Sequence, residues 1–400
     1  MCAIIVMMCA AKRASAESTA TAAKFAAATL GAVVVGLAAI AGTAATMVAR
    51  AVVTPPRRRR DPVRLLRVDK QAGTVTLART PETAAPGHYS LVFAAETGRA
   101  NVGAVVDESE RTVTRRFWGE QGAQLERVRS VRLASAPQLW VRDLDLPWRW
   151  VDVQTPLGAM PAWLIPAAQA SDSWAIHVHG RGAVMTEPLR AVPLFRGRGW
   201  NSLVVSYRND ALAPPSPDGK FGLGATEWRD VESAMDWAAE RGAKRIILVG
   251  WSMGGGTVVQ ASLNARHREL VAGIFLESPA LSWRSILRYQ GRAMRLPRAV
   301  TALGVWLIGS PFARPLLGLD APIPLAELEI PSRLGELRVP ILLFHSSADT
   351  VVPVEASREV ARRRPDLVTY REFERALHTR LWNVDSGRWE QSLDEWLATF

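Results

Sequence analysis

A serine flanked by glycines two residues away on either side, in Gly250-Trp251-Ser252-Met253-Gly254, is the arrangement in this chain best suited to covalent chemistry. It follows the apolar run Ile246-Ile247-Leu248-Val249 and precedes a helix-like stretch from Gly256 to His267. A serine on so tight a strand-to-helix turn is pushed out of the fold, and the helix N-terminus beneath it favours developing negative charge. Such a hydroxyl can attack a carbonyl carbon and pass through an acyl intermediate. The pattern alone is weak, since G-x-S-x-G arises by accident in roughly one chain in ten of this length. An unassisted hydroxyl is also a poor nucleophile. It needs a histidine to accept its proton, an acid to orient that histidine, and two N–H groups to receive the oxyanion.

Elements able to position those groups are spread along the chain. Four hundred residues of 48% apolar composition bury a large core and suit one main domain with an accessory piece. Both cysteines, Cys2 and Cys9, lie in the first ten residues, so the folded body carries no disulfide and no cysteine-based metal or redox site. The net charge of +11 forms no Lys/Arg stripe interleaved with aromatics, which argues against a nucleic-acid partner. Part of the excess sits in Arg57 to Arg60, shortly after the uncharged run Phe25 to Val48. That run is long enough to cross a bilayer as a helix, and it exceeds the apolar core of a signal peptide. An uncleaved anchor is therefore favoured over cleavage near Ala49-Arg50-Ala51. The chain reads as a single-pass cell-membrane protein, with residues 1–52 holding the anchor and 53–62 a basic linker against anionic lipid heads. The arginines weight a cytoplasmic body without deciding the side.

Residues 63–147 show short alternating runs at Leu65 to Val68, Thr74 to Leu77, Tyr89 to Phe93, Val102 to Val106 and Thr112 to Phe117. Turn residues separate them, which predicts a small β-rich accessory region. His88 within it has no second ligand nearby and reads as a turn residue. In residues 148–400, strands are expected at Trp150 to Val153, Met160 to Ile165, Trp174 to Val178, Ser202 to Tyr207, Ile246 to Val249, Ala272 to Leu276, Ile341 to Phe344 and Thr369 to Phe373. Their apolar runs predict an eight-stranded, mostly parallel α/β sheet covered on both faces. Helices are expected over Thr226 to Arg241 and Arg388 to Phe400. Residues 282–337, rich in Arg, Pro and Leu, are too long for a crossover and predict a cap-like helical insertion before the penultimate strand.

Six histidines could supply the base: His88, His177, His179, His267, His345 and His378. In the chain order of α/β-hydrolases, serine then acid then histidine, the base lies on a loop after the last strand, where His378 stands. Asp349, in the loop after the penultimate strand, is the favoured acid, with Glu277 after the preceding strand as its rival. Met253 offers one oxyanion amide by position. Arg181, in His179-Gly180-Arg181-Gly182 after the third main strand, offers the other.

From Trp148 to Phe400 the chain resembles the α/β-hydrolase fold serine hydrolases, through HGRG, GWSMGG, SSADTVVP and the late His378. Within them it looks like the serine aminopeptidase and acylglycerol lipase branch, and more loosely like the catalytic domain of prolyl oligopeptidases. The resemblance implies Ser252 as nucleophile, Asp349 as acid, His378 as base and Met253 and Arg181 as oxyanion donors, with no metal or cofactor. Arg208 and Asp210 fall where such enzymes place a polar loop near the site, and read as loop-fixing partners. Gly180 and Trp251 are further substrate-loop candidates, Trp251 being equally well packing or pocket wall. The implied activity is hydrolysis of a carboxylic ester, thioester or amide, the substrate being a small, lipid-like acyl compound. Peptidase action or acyl transfer on the same triad are alternatives, and an inactive docking protein on this fold is the rival of another class. Since His378 must be neutral to act as base, activity is expected to fall as pH drops through roughly 6.5. A rate unchanged between about pH 5 and pH 8 in an ester-hydrolysis profile would contradict that role.

Overall fold

A computed structural model describes residues 35–36, 38–56 and 61–400. Its first element is an apolar helix, α1 (Ala38–Val53). Residues 25–34 and 37 of the expected membrane span, and the linker residues Arg57 to Arg60, lie outside the described residues. Among the described residues no single helix is long and apolar enough to cross a membrane, so the transmembrane helix expected at about 25–48 is not found there. Instead α1 runs past Val48 to Val53 and packs on protein. Ala45, Ala49 and Val53, spaced one turn apart, are buried in the main core. The body of the protein thus reaches back into the segment read as anchor.

Next comes a closed six-stranded barrel. Its strands are β1 (Val63–Asp69), β2 (Thr74–Ala78), β3 (Tyr89–Phe93), β4 (Gly98–Glu108), β5 (Thr112–Gly122) and β6 (Ser130–Ala134), with a short helix α2 (Pro81–Ala84) between β2 and β3. They close in the order β1-β2-β5-β4-β3-β6, every pair antiparallel. The closing strand β6 has no counterpart among the runs read from the sequence, because five residues centred on Arg132 give too short an alternation. Val75, Leu77, Leu91, Phe93, Val102 and Val131 fill the interior. Arg115 is buried with them, and its guanidinium donates to the carbonyls of Gly103, Thr83 and Ala85 at 2.8 Å each and of Gly87 at 2.6 Å. Burial lowers its pKa below the ordinary arginine value.

The main domain is an eight-stranded sheet. In chain order its elements are β7 (Arg149–Thr155), β8 (Gly158–Ile165), β9 (Ser173–Val178), α3 (Val192–Gly197), β10 (Asn201–Val205), α4 (Trp228–Ala239), β11 (Arg245–Trp251), α5 (Met253–Asn264) and β12 (Val271–Glu277). The insertion follows as α6 (Trp283–Ala293), α7 (Arg298–Gly309) and α8 (Arg314–Leu317). The chain ends with β13 (Ile341–Ser346), α9 (Glu355–Arg363), β14 (Val368–Phe373), α10 (Leu381–Val384) and α11 (Ser386–Leu397). Strand order is β14-β13-β12-β11-β9-β10-β8-β7, with β8 antiparallel to both neighbours and the remaining pairs parallel. Alternation assigns the two faces: Trp174, Ile176 and Val178 of β9 face the core with α4 and α5, while Ala175 faces α3 and α11. The order of connection reverses at β9, which has β10 on one side and β11 on the other, and such a switch point opens a crevice at the carboxyl ends of the strands.

Asn383 of α10 ties the barrel to this domain by donating to the carbonyls of His88 at 2.6 Å and Ser135 at 2.9 Å. The most exacting test of the barrel is Arg115→Leu, which leaves the four carbonyls, three of them buried, without their donor. It should destabilise the protein by at least about 3 kcal/mol in urea denaturation. A loss under about 1 kcal/mol would contradict the reading of Arg115 as the internal tie of the barrel.

Candidate active site

Ser252 sits between β11 and α5 with φ 52° and ψ −119°. The helix therefore starts at Met253 rather than at the expected Gly256. A non-glycine residue in this region costs on the order of 1–3 kcal/mol and persists only when its surroundings hold it there. Here the Ser252 N–H donates to the Glu277 carbonyl at 3.0 Å, and its own carbonyl accepts from Gly255 at 3.0 Å and Ala280 at 2.9 Å. Gly254 lets the turn press against the end of β9, for a Cβ there would lie 2.4 Å from the carbonyl oxygens of both Val178 and His179. The requirement for glycine at this position is steric.

His378 lies on the loop between β14 and α10. Its Nε2 is 2.8 Å from Ser252 Oγ, and its Nδ1 is 2.7 Å from Asp349 Oδ2. With Nδ1 protonated toward the carboxylate, Nε2 is free to accept the serine proton. Asp349 Oδ1 accepts from the amides of Val351 at 2.8 Å and Val352 at 2.9 Å. Burial opposes ionisation of Asp349, but the electrostatic interaction with His378 and the hydrogen bond from His345 outweigh it and hold the carboxyl well below the usual carboxylate range.

Glu277, the rival acid, is fully buried and otherwise engaged. Its Oε2 accepts from the indoles of Trp251 at 3.1 Å and Trp389 at 2.8 Å, and Arg190 approaches Oε1 at 4.0 Å. Of the two readings of Trp251, packing or pocket wall, these bonds favour packing. Its side chain is buried beneath the elbow, packed edge-on against Phe275. Alternation along β11 puts Ile247, Val249 and Trp251 on that face together.

The loop after β9 reaches the elbow from the other side. A Cβ on Gly180 would lie 3.0 Å from Ser252 Cβ. Among the described residues the amides of Arg181 and Met253 have no hydrogen-bond partner, the latter as the first residue of α5. The loop itself is clamped. The Gly180 N–H donates to Glu187 at 2.8 Å, and its carbonyl accepts from Tyr207 Oη and from His179 Nδ1, each at 2.9 Å. His179 Nε2 donates to Asp210 at 2.8 Å. Burial opposes a charge on His179, but Asp210 and the Gly180 carbonyl more than offset it and raise its pKa above the ordinary imidazole value. Asp210 thus bears on the loop through His179. Arg208 turns away to a buried bidentate pair with Asp230 at 2.8 and 2.7 Å.

Several contacts at the site have no counterpart in the sequence reading. The side chain of Arg181 donates to the carbonyls of Val52 at 2.8 Å, Ala51 at 2.6 Å and Thr54 at 3.3 Å, so the loop after β9 is tied to the end of α1. Tyr289 of α6 donates to the Asp349 carbonyl at 3.1 Å. His345 holds the same loop, with Nδ1 2.7 Å from Ser357 Oγ and Nε2 3.1 Å from the Val352 carbonyl. Of these residues only His345, adjoining the acid loop, is legible in this respect from the sequence, as a histidine that satisfies local hydrogen bonds.

Comparison with known proteins bears first on the barrel. A family described as a domain of unknown function (DUF8805) matches residues 64–134, which cover β1 to β6. No curated protein matches the chain. Among solved structures, the Pyrococcus furiosus esterase Pf2001 is similar at a TM-score of 0.50 and 18% identity, over 66% of this chain and 97% of its own. The Paleococcus ferrophilus monoacylglycerol lipase is similar at 0.43 and 19%, over 60% and 98% respectively. The likeness to the Pyrococcus protein, together with the strand order and the elbow, shows that the main domain has the α/β-hydrolase fold.

Beside the site, His177 on β9 is fully buried, and burial pushes it down to about 3. An imidazole depressed in the folded state binds its proton first in the unfolded chain. Its stabilisation is therefore complete above about pH 6.5 and is lost progressively as pH falls toward the folded value. Replacing it in His177→Asn should flatten the fall of the urea midpoint between about pH 6.5 and pH 4. An unchanged slope in that window would show that His177 is not buried in its neutral form.

Proposed function

We propose that the chain is a serine hydrolase that cleaves a carboxylic ester through Ser252, His378 and Asp349. The observation that carries this reading is the pair of short contacts from Ser252 to His378 to Asp349, on an elbow whose strained conformation is held by its neighbours. In the proposed reaction Ser252 Oγ adds to the carbonyl carbon while His378 Nε2 takes its proton. Asp349 steadies the imidazolium, and the amides of Met253 and Arg181 receive the negative oxygen. The bond to the alcohol then breaks as His378 returns the proton to the leaving oxygen. Water repeats the two steps with His378 as base, which frees the carboxylic acid and restores Ser252.

Esters are favoured over peptides because the charged side chains around the elbow are already engaged. Glu187, Arg208, Asp210 and Glu277 each hold a protein partner, so none of these four is available to a peptide terminus. Acyl transfer would follow the same steps with an alcohol in place of water.

A fluorophosphonate probe should label the wild-type chain and leave Ser252→Ala unlabelled. Equal labelling of both would remove Ser252 as nucleophile, and labelling of neither would favour a docking protein on this fold. Asp349→Asn should lower kcat on a short-chain ester by about 10⁴-fold, whereas Glu277→Gln should act mainly on stability. The reverse pattern would move the acid to Glu277. Arg181→Ala keeps the backbone amide but releases the loop from α1. Its kcat should fall by about 10- to 100-fold with KM little changed, and Arg181→Lys should recover part of the loss.

A further inference from the structure

The helical insertion carries a surface that ester hydrolysis does not explain. Between Ser282 and Leu319 the chain has six arginines, Arg284, Arg288, Arg292, Arg295, Arg298 and Arg314, and neither an acidic residue nor a lysine. All six are exposed. Arg284 has one loose partner, Glu329 at 3.9 Å, while Arg288, Arg292, Arg295 and Arg298 form no ion pair among the described residues. The same segment exposes large apolar side chains: Phe312 at 86%, Met294 at 60%, Trp306 at 56% and Leu316 at 55%. Single exposed apolar residues are ordinary, but four in one cation-only segment are not.

These two chemistries meet in one place. An open groove of about 570 Å³ between α6, α7 and the turn after α7 is lined by Arg284, Arg288, Trp306, Phe312 and Leu325. The axis of α7 and that of the segment Pro311–Leu317 meet at 88°, which sets the groove in the corner of a bent pair of helices. Beside it, α1 crosses α7 at Gly304, where a Cβ would lie 3.5 Å from the Ala45 carbonyl. On the side turned away from that contact α1 exposes Ile40 and Met47, and the uncharged sequence upstream continues to Phe25.

We propose that this face docks on an anionic lipid bilayer. Arginines bury their methylene stems on apolar surface while offering the guanidinium to phosphates, and aromatic side chains settle at the acyl boundary. Each cation near such a surface is attracted to it, so six without an acid among them act in concert. A second copy of the chain fits the face poorly, since two-fold pairing would set one arginine cluster against the other. The proposal does not depend on the chemistry assigned to Ser252.

The test must separate this face from any lipid binding by the N-terminal run, so the readout is local. The full chain carrying Cys2→Ser, Cys9→Ser and Phe312→Cys is labelled with an environment-sensitive fluorophore at position 312. It is then mixed with phosphatidylcholine vesicles with or without phosphatidylglycerol. Emission should shift to the blue and be quenched by lipid-borne quenchers only where phosphatidylglycerol is present. The same label in Lys244→Cys, an exposed position on the loop before β11, should stay in water. Changing Arg288, Arg292, Arg295 and Arg298 together to Gln should raise the lipid concentration at half-maximal shift at least tenfold. Chain that sediments with vesicles while the label at 312 stays in water overturns the proposal, as does failure to bind vesicles at all. Shielding that needs no vesicles and grows with protein concentration would give the face to a second copy.

Discussion

The close packing of the α5 N-terminus against the end of β9 is the constraint on which the rest of the site depends. Because Gly254 presents no side chain to the Val178 and His179 carbonyls, the helix can begin directly after β11. That leaves Ser252 at φ 52° as the single residue of the turn. Its hydroxyl is then aimed out of the sheet, and the Met253 amide comes beside the loop that carries Arg181. The sheet order adds the second half of the geometry, because β9 and β11 are neighbours at the switch point although α3, β10 and α4 separate them in sequence. Any side chain that parted these two backbones would displace the Ser252 hydroxyl and the Met253 and Arg181 amides together.

Two buried carboxylates flank this turn and differ in what surrounds them. Asp349 accepts two backbone amides on one oxygen and His378 on the other, an environment that favours its ionised form despite burial. Glu277 lies beneath the elbow and accepts two indoles, while its backbone carbonyl receives the Ser252 amide. One acid faces the histidine, and the other holds up the turn. The loop bearing Arg181 is held just as firmly: Asp210 and His179 clamp its backbone, and the Arg181 guanidinium grips the end of α1.

The main sheet is legible in the sequence because parallel strands buried on both faces appear as uninterrupted apolar runs. Ser252, Asp349 and His378 are legible for another reason: each falls on a loop after a recognisable strand, and the order of those loops is itself informative. The structure brings the three within hydrogen-bonding distance. Other features escape such reading. A helix that packs on protein and one that crosses a bilayer share the same apolar composition. The difference in α1 lies in Ala45, Ala49 and Val53, whose burial depends on a surface formed far along the chain. Closure of the barrel rests on the five-residue strand β6 and on an arginine buried among carbonyls, which propensity places at the surface. The partners of the Arg181 side chain lie well over a hundred residues upstream, and no local pattern announces them.

In the proposed reaction the Ser252 turn and the loop after β9 form one oxyanion site. This arrangement is tested most directly by a crystal structure of the chain after reaction with a fluorophosphonate. A covalent bond from Ser252 Oγ to phosphorus is expected, with the phosphoryl oxygen within about 3 Å of both the Met253 and Arg181 amides. An adduct on another residue, or a phosphoryl oxygen turned away from those two amides, would contradict it.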